Sequence, residues 1–151
     1  MQNVFDAKDA QEYINRINNL TPETQRKWGK MSVDQVLAHL NVAYDLTFTP
    51  EKFPKPSFIA KFLLSRFVKP KITNEIPYKP SLPTSPAFII ADERNFEEEK
   101  AKLIGNIQRV QQLGREAFEG KENINFGKMT AQGWNNMFAK HLNHHLDQFG
   151  V

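Results

Sequence analysis

The chain has 151 residues, 40% hydrophobic and 25% charged, a balance that suits one globular domain over residues 1–151 and excludes fibrous or wholly disordered character. Twenty basic against 17 acidic side chains leave a net charge of only +3. That mild excess, with no basic run interleaved with aromatics, argues against nucleic acid as a partner. Cysteine is absent, so zinc-finger spacing is excluded and any thiol chemistry must use a thiol from a small molecule.

The opening MQNVFDAKDAQEY has no charged start followed by an apolar run, so it does not read as a signal peptide. The longest apolar stretch, FIAKFLLSRFV, is broken by Lys61 and Arg66 and is too short to span a bilayer. A cytoplasmic location is the expectation.

Ala10, Tyr13, Ile14, Ile17 and Leu20 recur at three- and four-residue spacing, which predicts a first amphipathic helix near residues 7–20, capped by Asp6 or Asp9 and stopped near Thr21-Pro22. The second helix has the strongest start signal. Ser32 is the predicted N-cap, Gln35 its capping-box partner, and Met31 with Val36 the hydrophobic staple, with the body running from Val33 to about Leu46.

Eight of the nine prolines lie between Pro50 and Pro86, so that segment cannot be one long helix and is expected to cross the surface in extended form. One short helix is predicted inside it, at Phe58–Val68, its apolar residues Phe58, Ile59, Phe62, Leu63 and Phe67 packing against the domain; a membrane surface or a dimer interface are the alternatives. Phe88-Ile89-Ile90 is expected to pair briefly as a strand.

A third long helix is predicted from an Asp92 N-cap, marked by Phe96, Leu103, Ile107 and Val110 and closed by Gly114 or Gly120, with Glu93 and Glu97–Glu99 early, where the helix dipole favours them. The last runs from about Thr130 to Gln148, with Gly150 as the stop. Four long helices with one long connection between the second and third make an all-α four-helix bundle the predicted fold.

The four histidines fall in two places: His39 in the second helix, and His141, His144 and His145 in the last. His141 and His145 are four apart, so their rings lie side by side on the arc shared by Trp134, Phe138, Leu142 and Phe149. A third imidazole from another helix would complete a facial metal site with a position left open, the pattern of a catalytic metal. His39 shares an arc with Val36, Ala43 and Leu46, and the bland reading makes it an edge histidine bonded to backbone. His144 points to the flank of the pair and reads as a partly exposed surface histidine, or as a neighbour of the site bonded to Gln148.

Two sharper metal templates fail. A zincin helix needs Glu directly after its first histidine, where Leu142 stands. A di-iron carboxylate bundle needs Glu three residues before a histidine, and those positions hold Val36, Phe138, His141 and Leu142. Tyr44 and Asp45 follow His39 within two turns but read as a core aromatic and a solvated acid. Arg66, Lys69 and Lys71 read as a solvated basic face rather than an anion funnel.

The run WGKMSVDQVLAHLNVAYD, with a tryptophan before a capped helix and a histidine in A-H-L, and the closing HLNHHLDQF resemble the DinB-like superfamily of metal-binding four-helix bundles. FPKPSFIAKFLLSRFVKPKITNEIPYKP, INFGKMTAQGWNNMF and KHLNHHLDQFG are similar to the branch of that superfamily known only as a domain of unknown function, over residues 3–151. The resemblance implies that His39, His141 and His145 are metal ligands, for nickel or zinc. It further implies a homodimer and a small-molecule substrate, with chemistry of the kind relatives perform as transferases or isomerases using bacillithiol, mycothiol or glutathione. A metal-activated exogenous thiol or water is then the expected nucleophile, and a non-catalytic metal-binding or interaction module the alternative.

Overall fold

In the computed structural model, which describes residues 1–80, 82 and 84–151, the chain is mostly helical with one small sheet. The helices are α1 (Ala7–Asn18), α2 (Val33–Phe48), α3 (Phe58–Leu63), α4 (Lys69–Thr73), α5 (Phe96–Leu113) and α6 (Ala131–Phe149). Strands β1 (Glu122–Asn123) and β2 (Gly127–Lys128) pair antiparallel, Glu122 opposite Lys128. The all-α expectation holds broadly, and its omission was this hairpin.

The apolar periodicity of α1, α2, α5 and α6 is what joins them. Tyr13 and Ile17 of α1, Leu37 and Leu40 of α2, Leu103 and Ile107 of α5, and Trp134, Phe138 and Leu142 of α6 meet in one core, each almost fully buried. Tyr44 belongs to it, stacked on Phe138 with ring centroids 4.7 Å apart, and Asp45 is ion-paired with Lys102 at the surface. Polar groups lock the same packing. Asn41 of α2 donates to the Glu99 carbonyl at 3.0 Å and accepts from Asn106 at 3.0 Å, which fixes the register of α2 on α5.

The caps follow the sequence except at α5. Asp6 accepts from the backbone of Lys8 and Asp9, and the Gln35 side chain accepts the Ser32 N–H at 3.1 Å. Asn95, not Asp92, caps α5 by accepting the Glu98 N–H. Asp92 is instead drawn into an ion pair with Arg94 and offers its carbonyl to Gln35. Gly114 ends α5 at φ +71°.

The crossover departs further from expectation. Helical geometry continues past Val68 to Thr73, through a π-helical turn at Leu64–Val68 that sits directly before Pro70. Proline has no N–H to give and its ring clashes with the carbonyl four residues back, so a wider turn there lets the chain pass without that clash. The predicted packing of this helix on its own domain is also overturned: Phe58, Ile59, Phe62, Leu63 and Phe67 are all exposed. Phe88 ends a 3-10 turn opened by Pro86, a first position that proline suits, and Phe88-Ile89-Ile90 join no strand among the described residues. Pro83 of the crossover lies outside the described residues.

What holds the crossover down is α6. Lys140 Nζ donates to the Lys71 carbonyl at 2.7 Å, and Asn136 Nδ2 to the Thr73 carbonyl at 2.7 Å, so two carbonyls that end α4 find donors on α6. The approach needs Gly133, where a Cβ would stand 3.3 Å from Thr73 Cγ2.

Candidate metal centre

The packing of α6 against α2 brings three imidazoles together. Thr130 caps α6 and Gly150 closes it in the left-handed conformation, so the helix presents His141 and His145 one turn apart toward α2. There they meet His39. Ring centroids are 4.9 Å apart for His39 and His141, 4.5 Å for His39 and His145, and 5.0 Å for His141 and His145. One nitrogen from each of the three lies within 4.8 Å of the others.

Each ring is held by a partner at its far side. His39 Nδ1 donates to the carbonyl of Phe88 at 2.7 Å, and His145 Nδ1 donates to Gln148 Oε1 at 2.7 Å. A carbonyl oxygen only accepts, so these two bonds place hydrogen on Nδ1 and leave the Nε2 lone pairs facing the cluster. Gln148 is itself oriented, because its amide nitrogen donates to the Trp28 carbonyl at 2.8 Å. His39 thus satisfies both sequence readings at once: the backbone bond fixes the ring, and the ring offers its other nitrogen.

His141 Nε2 stands 2.9 Å from His39 Nε2. With the lone pair of His39 already directed there, His141 must contribute a hydrogen, or the two must share a cation. Three imidazole nitrogens within 4.8 Å of one another could hold a divalent ion, whose ligands at a metal–nitrogen distance of ~2.0–2.1 Å lie roughly 2.9–3.4 Å apart.

Burial lowers the pKa of all three rings and so favours their neutral form. Desolvation pushes the pKa of His39 down against the opposing pull of the Phe88 carbonyl. Desolvation, then the charges that neighbouring imidazoles would carry, holds His141 well below the ordinary histidine range. His145 falls to about 3, with desolvation first and His39 second, opposed by the Gln148 bond. Neutral imidazole is the form that binds metal, so the fold has removed the competing proton in advance.

Phe88 closes one side, its ring edge-on to His39 at 5.3 Å and to His141 at 5.7 Å. His144 lies outside the trio. The expectation of a partly exposed histidine holds, and the alternative bond to Gln148 is not made, since the Gln148 side-chain oxygen accepts from His145. His144 is half-buried instead, packed against Trp28, Tyr78 and His145. It lines a cavity of about 370 Å³ together with Trp28, Tyr78, Lys140, Asn143 and Asp147. Trp28 Nε1 is buried there without a hydrogen-bond acceptor among the described residues. Lys69 Nζ is engaged by backbone, donating to the Lys128 carbonyl at 2.6 Å.

Sequence reasoning reached the three histidines but missed the groups that aim them. Gln148 was visible as a polar residue one turn after a histidine, whereas the Phe88 carbonyl, being backbone, carries no side-chain signature.

The family described as "Protein of unknown function (DUF1569)" matches residues 2–150. The chain belongs to that family. No curated protein and no solved structure matches it. No helix among the described residues is long and apolar enough to cross a membrane.

Proposed function

We propose that this chain is a metal-dependent enzyme of the DinB-like class, with His39, His141 and His145 as the three protein ligands of a zinc or nickel ion. The observation that carries the reading is the convergence of three neutral imidazoles, two of them oriented by an acceptor at Nδ1 so that Nε2 points inward. A divalent cation on three uncharged ligands keeps its full positive charge, and when bound it lowers the pKa of a coordinated thiol or water to near neutrality.

The protein supplies position and selection. Phe88 shields two of the imidazoles, which keeps them desolvated and unprotonated. Beside them the cavity lined by Trp28, Tyr78 and His144 has the size of a small-molecule site. Its aromatic walls suit an apolar or planar substrate. Because the chain has no cysteine, a thiol nucleophile must come from a low-molecular-weight cosubstrate.

The reaction is transfer or isomerisation through that thiol. In the transfer case a sulfur–carbon bond forms as the carbon–leaving-group bond breaks; the leaving group takes the bonding pair, and the thiol proton goes to solvent. The test is conjugate formation by zinc- or nickel-loaded protein with glutathione, bacillithiol or mycothiol and a chromogenic halogenated arene, followed in parallel for His141→Ala. The expected result is thiol-dependent turnover that the variant lowers at least about tenfold, or ~1.4 kcal/mol in the barrier. Equal rates for the two proteins with every thiol would overturn the transfer reading.

A further inference from the structure

The segment 52–71 places six basic residues and no acid within twenty positions of a chain whose whole net charge is +3. Its apolar side chains are turned outward. Phe58 is 86% exposed, Ile59 71%, Phe62 60% and Phe67 59%, in a structure whose other aromatic side chains are buried or half-buried. Polar contacts tie the same segment to the domain: Lys61 pairs with Glu122 at 2.7 Å, Thr73 packs on Gly133, and Lys69 donates to the Lys128 carbonyl, while Leu64 and Ile72 are half-buried. Lys52, Lys55, Arg66 and Lys71 of the same segment are exposed.

We propose that α3, the π-turn and α4 form an interfacial anchor that docks the chain on an anionic membrane surface. Phe58, Ile59, Phe62 and Phe67 would enter the boundary between headgroups and acyl chains, with the four exposed cations against lipid phosphates and carboxylates. An inserted helix of this kind needs an apolar face with cations near it, and the segment supplies exposed aromatics and exposed basic residues. Arg66 lies with its guanidinium carbon 5.7 Å from the Phe67 ring centroid, so its stem can follow the aromatic face while its charge stays at headgroup level. Charge decides between a membrane and a second copy of the chain. A two-fold dimer through this face would bring the same positive strip against itself, whereas an anionic surface complements it. The anchor leaves the core helices free, since α4 is held to α6 by backbone carbonyls rather than by the exposed side chains.

The experiment is co-sedimentation of the full chain with vesicles of phosphatidylcholine containing about one third phosphatidylserine, against vesicles of phosphatidylcholine alone, at low and high salt. Two double variants accompany it: Phe58→Ser with Phe62→Ser, and Arg66→Glu with Lys71→Glu. All four positions are exposed, and circular dichroism checks that the helices persist. The anchor predicts binding to the anionic vesicles that falls about tenfold or more in either double variant, on removal of phosphatidylserine, and in high salt. Absence of binding to anionic vesicles at low salt would overturn it, as would binding by either variant equal to that of the parent chain. A stable dimer in light scattering that the Phe58→Ser, Phe62→Ser pair dissociates would also overturn it, assigning the face to self-association.

Discussion

His39 and His141 stand 102 positions apart in sequence, yet their Nε2 atoms lie 2.9 Å from each other. Two acceptor-type nitrogens brought that close must share a proton or a cation. Because both rings belong to helices locked by the same core, neither can retreat without disturbing it. The site is therefore a property of how α2 and α6 pack rather than of a flexible loop.

Gln148 sets the orientation of His145 and is held by Trp28 in turn. Gln148→Ala removes both bonds and leaves a buried imidazole N–H without an acceptor. Its zinc or nickel affinity, measured by chelator competition, is expected to fall about 10- to 100-fold with helix content unchanged. An unaltered affinity would mean that packing alone aims the ring.

Acid should destabilise the metal-free protein early. His145 has its folded pKa lowered from 6.5 to about 3, and His39 and His141 are lowered as well. Between those pH values the unfolded chain binds protons that the folded chain refuses. The stability these groups contribute is complete above about pH 6.5 and is lost as pH falls from there toward 3, at about 1.4 kcal/mol per pH unit for a single such histidine. Urea unfolding of chelator-treated protein across that range should show the decline, and a flat profile would contradict buried neutral imidazoles.

Phe138 fills the core one turn before His141, stacked between Tyr44 and Trp134. Phe138→Ala should cost about 3–5 kcal/mol in urea unfolding, through lost burial and the cavity left behind. A loss well below that would show the stack to be loosely packed.

Gly150 ends α6 at φ +76°, where a Cβ would meet Lys27 Cε at 2.6 Å. Gly150→Ala is expected to destabilise by about 1–2 kcal/mol, since an L side chain is strained in that conformation. Equilibrium unfolding would measure it, and neutrality would indicate that the last turn frays at no cost.

How much of this was readable in the sequence depended on whether a feature repeats. The core positions Tyr13, Ile17, Leu37, Leu103, Ile107, Trp134 and Phe138 follow helical spacing, and the cap Ser32 follows residue type, so both were legible. The proximity of His141 to His145 came from spacing alone. That His39 joins them is a tertiary fact, and only family resemblance pointed to it beforehand. Asn95 displaced Asp92 because either residue can cap and tertiary partners chose between them. The two-residue strands are too short to show alternation, and the outward turn of Phe58 and Phe62 runs against the rule that aromatics go inside.

The central claim is that three histidines from two helices bind one cation. Elemental analysis of the purified chain by mass spectrometry, beside His39→Ala, His141→Ala and His145→Ala, tests it directly. The account predicts about one zinc or nickel per chain in the parent protein and loss of most of it in each variant, with helix content retained. Full metal content in all three variants, or a parent protein that takes up neither metal when supplied with it, would contradict it.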